Sequence, residues 1–195
     1  MNARPCSTDF PGVRRRHVLR LVCAAVALGG VGARAQVPAR REAVVAAYLH
    51  KLPGFVEWSA QSFATPASPI VVGVAGAPSV LEELVRIAKG RLVLGRPVVA
   101  QAIDTVAEVP PDLHVLFIGS EAQRIAVPLV DAARARHALI VTDLPTGQEM
   151  GAAIEFVQID GRLRFEIFLA AARRCAIKLS SPLMGVAWKV TEDTP

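Results

Sequence analysis

Apolar residues recur along this chain with two different periods, and the alternation between them predicts the elements. In residues 41–58, REAVVAAYLHKLPGFVEW, Val44, Val45, Tyr48, Leu49 and Leu52 share one helical face. Pro53 should end or kink that helix, while Phe55, Val56 and Trp58 prolong the apolar surface. Residues 59–69 are polar and proline-rich, hence a loop. Ile70–Val74 is a short, largely β-branched run of the kind found in fully buried strands. The turn Gly76-Ala77-Pro78-Ser79 follows, with Ser79 placed to cap a helix over 80–89 that buries Leu81, Leu84 and Val85. Strands are expected at 98–101, 113–118 and 139–142, with a helix over 122–136 in which Pro128 is awkward.

The period then changes. Residues 154–159 and 162–168 flank Asp160-Gly161, and this turn dipeptide between alternating runs predicts a hairpin. Short helices should follow near 169–175 and 182–188, the second capped by Ser181 before Pro182. Strands alternating with helices imply parallel pairing. The expected fold class is therefore α/β: a single domain, with a mostly parallel β-sheet flanked by helices and an antiparallel C-terminal hairpin at one edge.

The first 35 residues read differently. Arg14-Arg15-Arg16 begins a basic segment, 18–31 is apolar but for Arg20, and Ala33-Arg34-Ala35 has small residues where a signal peptidase reads. This predicts a signal peptide over 1–35, cleaved near Ala35, and an exported, periplasmic domain over 36–195. Arg15-Arg16 resembles a twin-arginine signal, but the ordinary secretory route is preferred. The apolar run is too short to span a bilayer, so no membrane insertion is expected after cleavage. The assignment changes the charge balance: the whole chain is +5, but removing six arginines and Asp9 from 22 basic and 17 acidic residues leaves 16 of each. A nucleic-acid partner needs a basic face, and composition supplies none. Cys175 alone remains, so no internal disulfide is possible, and the thiol is expected to be buried.

Candidate chemistry is sparse. His50, His114 and His137 lack metal-ligand spacing, so no metal or other cofactor is expected. Ser120 reads as a helix cap, and with no histidine placed to activate it no catalytic residue is assigned. Gly76, Ser120 and Asp143 fall at the carboxyl ends of parallel strands, where doubly wound sheets bind ligands; a small-molecule sensing crevice there is one functional reading. The other is a partner surface built from Trp58, Arg164, Glu166, Arg174 and Lys178, because arginine beside aromatics makes good anchors.

Several segments in order, Ala46-Ala47-Tyr48-Leu49, Phe55-Val56-Glu57-Trp58, Gly95-Arg96-Pro97-Val98, His114–Ile118, Thr142-Asp143-Leu144 and Arg162–Ser181, resemble the YfiR family of bacterial periplasmic proteins. The resemblance covers about 140 residues. It implies a non-enzymatic repressor that binds the periplasmic sensor region of a membrane-anchored diguanylate cyclase, lowering cyclic di-GMP and biofilm formation. Homodimerisation stays open. Members with redox-sensitive behaviour carry cysteine pairs, which the domain over 36–195 lacks.

Overall fold

The computed structural model describes residues 41–192; the expected signal peptide lies outside them. Helix α1 (Arg41–Lys51) runs into a 3-10 turn, Leu52–Phe55, where Pro53 at the start of the turn ends the regular helix as its missing N–H requires. Strand β1 (Val56–Glu57) follows, then β2 (Ile70–Ala75), α2 (Pro78–Ala88), β3 (Leu92–Val93), β4 (Arg96–Ala102) and β5 (Leu113–Ile118). A 3-10 segment, Ser120–Ile125, leads into α3 (Ala126–Arg134), followed by β6 (Leu139–Thr142) and the short α4 (Gly147–Met150). The hairpin is β7 (Ile154–Ile159) and β8 (Arg162–Phe168); α5 (Leu169–Arg174), β9 (Lys178–Leu179), α6 (Ser181–Val186) and β10 (Lys189–Thr191) complete the chain.

Eight strands form one sheet in the order β10-β8-β7-β6-β5-β2-β4-β3, and β1 pairs with β9 in a separate antiparallel ribbon. The pairs from β4 through β2, β5 and β6 to β7 are all parallel, whereas β7–β8 and β3–β4 are antiparallel. The expected fold class is the one observed, with β10 added outside the hairpin. From β2 the chain crosses through α2 to β4, and from β5 it crosses through α3 to β6, in opposite directions. Right-handed crossovers therefore put α2 and α3 on opposite faces. Covered on both sides, every residue of β2, β5 and β6 is buried, which is why these strands are runs of Ile, Val and Leu without alternation.

Three local expectations are corrected. Helix α2 starts at Pro78 with Ala77 as the flanking residue, so Ser79 does not cap it. Proline's fixed φ suits the first helical turn and moves the start forward. The helix expected over 122–136 is split: 3-10 geometry up to Ile125 places Pro128 in the first turn of α3, where its absent N–H has no partner to lose. Helix α6 begins at Ser181 and ends at Val186, flanked by Ser180, with no side-chain cap bond.

Candidate functional site

The carboxyl ends of β2 and β5 are where the sheet order reverses, yet backbone fills this crevice. Gly76 has φ +60°, and a Cβ built on it would lie 2.1 Å from the Ala122 nitrogen. A Cβ on Gly119 would lie 2.6 Å from the Gly76 carbonyl. The Gly119 N–H donates to Ala75 O at 2.8 Å, and the Glu121 N–H to Gly76 O at 3.2 Å. The glycines thus let two loops close on each other instead of lining an open crevice. Ser120 is exposed and makes no cap bond; Gly119 holds the flanking position. Asp143 accepts a hydrogen bond from Arg41 at 2.8 Å, tying the start of α1 to the end of β6. Thr142 donates to Ile118 O at 2.8 Å and accepts from the Leu144 N–H at 3.0 Å, closing the next strand end as well.

The five residues considered for a partner surface do not come together: Arg164 and Glu166 share β8, and Trp58, Arg174 and Lys178 lie elsewhere. Lys178 pairs with Glu57 at 2.6 Å across the β1–β9 ribbon, beside Trp58. Arg164 lies on β8 opposite Val157, on the same face as Arg162 and Glu166. With Trp188, Ile159 and Arg162 it lines a shallow depression of about 300 Å³. Trp188, 53% exposed, stands outside the core. Glu166 sits between Glu155 of β7 and Lys189 of β10. Arg174 closes α5 and lies near Gly151. Burial, then the nearby Glu166, raises the Glu155 carboxyl above the usual range, against the backbone N–H groups of Gly147 and Gln148, which lower it.

The densest polar and aromatic assembly lies at the opposite, amino end of the sheet. Val71 pairs with Leu113 and Val72 with Val115, so β5 bulges at His114. A bulge leaves the ladder short of a partner, and the His114 ring supplies it: the Val71 N–H donates to Nδ1 at 3.1 Å. Nε2 lies 2.8 Å from the Ser62 carbonyl. An accepting Nδ1 puts the proton of the neutral ring on Nε2, which donates to Ser62. Phe63 stacks on the imidazole with centroids 4.5 Å apart and 19° between planes, and Trp58 meets it edge-on at 5.4 Å. The Arg96 guanidinium sits 3.8 Å above the Phe63 centroid and donates to the carbonyls of Thr65 and Ser68. Trp58 Nε1 donates to Pro53 O at 2.9 Å. Clefts of about 410 and 520 Å³ flank this assembly. Sequence reasoning singled out Trp58 but missed its partners, because a bulge histidine and a cation over a ring carry no periodic signature.

Cys175 is fully buried, and burial raises its thiol pKa. Among the described residues no three His, Cys, Asp or Glu side chains could hold a metal ion.

The fold and these sites define a class: a doubly wound α/β domain extended by an antiparallel hairpin, whose polar groups spread over separate surfaces. The model of the YfiR/HmsC-like family matches residues 42–188, and the chain belongs to that family of regulatory proteins. Among solved structures it is similar to a conserved domain protein from Vibrio cholerae O1 biovar eltor, with TM-score 0.52, 14% identity and 77% of this chain covered. The chain spans 60% of the length of that Vibrio protein, and the likeness carries the fold alone. No curated protein matches the chain.

Proposed function

We propose that this protein is an exported, non-enzymatic regulator that binds the sensor region of a membrane-anchored diguanylate cyclase and holds the cyclase inactive. The observation that carries this reading is the family match across residues 42–188. A binder of the inactive state shifts a receptor only by its differential affinity, so the mechanism needs a surface and no reacting centre. The surface we assign to the partner is the hairpin depression, where Trp188 stands exposed beside Arg162 and Arg164. Tryptophan and arginine are the residue types that anchor interfaces.

The test is the double reversal Arg162→Glu/Arg164→Glu in the producing cell. It should stay folded by circular dichroism and raise cyclic di-GMP to the level of a strain lacking the protein. A folded double variant with unchanged cyclic di-GMP refutes the assigned surface. Unchanged cyclic di-GMP in the strain lacking the protein refutes the regulatory reading itself.

A further inference from the structure

We propose that the His114 bulge is an acid-operated latch: the neutral ring fastens the loop carrying Trp58 and Phe63 to the sheet, and protonation releases that loop. This does not rest on any partner. The loop runs over 58–68: Trp58 at its start is tied to the Pro53 carbonyl at 2.9 Å, and the rest makes its own bonds, Ser59 to Ser62 and Thr65 to Ser68. Its fastenings to the sheet are the Ser62 carbonyl on His114 Nε2 and the Thr65 and Ser68 carbonyls on Arg96. Clefts on both sides leave it room to move.

A second proton on the ring must sit on Nδ1, which already accepts from Val71 at 3.1 Å. Two N–H groups then face each other in a buried site, and the bulge loses the acceptor that completed its ladder. Nε2 still donates to Ser62, so the loop is freed only because the repelled ring must turn out of the bulge, drawing its Ser62 bond and the stacked Phe63 away from the sheet. The new charge also meets Arg96 from β4. Arg136 and His137, beyond α3, line the same cleft. Asp112, preceding β5, and Glu57 of β1, already paired with Lys178, oppose them; β2 brings no charge against the ring. Burial lowers the His114 pKa most, and Arg96 adds to this. The Ser62 carbonyl and Asp112, through both carboxylate and carbonyl, work the other way. The sign follows. The folded ring titrates below the unfolded value of about 6.5, so its stabilisation is complete above that value and is lost as pH falls through the folded pKa.

The experiment uses the Trp188→Phe chain, which leaves Trp58 as the only tryptophan, excited selectively over Tyr48. Between about pH 8 and pH 5, acrylamide quenching of Trp58 should rise about twofold in one titration step, while far-ultraviolet circular dichroism stays constant. His114→Gln presents an accepting oxygen and a donating amide without a titrating proton, and should abolish the step; His50→Gln should keep it. A step that survives His114→Gln, or none in the parent, overturns the latch. Should His114→Gln fail to fold, ¹⁵N shifts of the parent's histidines decide: at neutral pH His114 must carry its proton on Nε2 alone, and an Nδ1 proton overturns the proposal.

Discussion

Two residues with positive φ make opposite demands on the same rule. Left-handed backbone costs a side-chain-bearing residue about 1–2 kcal/mol. Ala176, at φ 55°, ends α5 with its N–H on Arg173 O and the Ile177 N–H on Ala172 O, the paired bonds of a Schellman cap. Glycine is the usual occupant there, so Ala176→Gly should raise unfolding free energy by about 1 kcal/mol; urea titration checks it, and a lowered midpoint would sink it. Gly76 already is glycine, and must be. Gly76→Ala adds the backbone cost to a Cβ pressed on the Ala122 nitrogen. It should lose about 3 kcal/mol, visible as a fall in melting temperature or in soluble yield.

Among the elements, what was legible in the sequence is what local pattern encodes. β2, β5 and β6 were readable because burial on both faces demands continuous apolar runs, and the hairpin because Asp160-Gly161 specifies its turn. β1, β3, β9 and β10 are only two or three residues long. They pair through geometry set elsewhere and have too few residues to show a period. The candidate site was less legible still. Trp58 stood out by type, but His114 lies in an apolar strand whose pattern gives no sign of a bulge. The Gly76, Ser120 and Asp143 crevice was inferred from strand ends, and the loops that fill it are tertiary. The β7–β8 pairing itself makes a prediction. Glu155 faces Glu166, and its raised pKa means the folded state holds the proton to higher pH than the unfolded chain. Stability contributed by this group therefore declines as pH rises from the ordinary glutamate range through the folded value. Glu155→Gln removes that decline, so the variant should gain on the parent with rising pH across weakly acidic solution and then hold a constant lead. Parallel stability curves from denaturant titrations at several pH values would refute it.

Over the whole molecule, early and late segments are interlocked rather than stacked in order. Arg41 bonds Asp143, Tyr48 packs its ring against Phe156 and Phe165, and Val56 of β1 pairs with Leu179 of β9. The exposed Lys178–Glu57 pair adds little to this, as surface ion pairs do. The interlock comes from buried apolar contact between residues more than 100 positions apart in the chain. Such a network ties the elements of the sheet and helices into one core, so at neutral pH, with the loop fastened, unfolding should be one cooperative step. In the Trp188→Phe chain at neutral pH, Trp58 emission and far-ultraviolet circular dichroism should trace the same urea transition. The latch sets where that coincidence must end. Once His114 is protonated the 58–68 loop loses its hold on β5 while the sheet keeps its own, so Trp58 emission should change at lower urea than the circular dichroism. Coincident curves on both sides of the histidine titration would mean that the loop and the sheet are one unit whatever the charge on the ring.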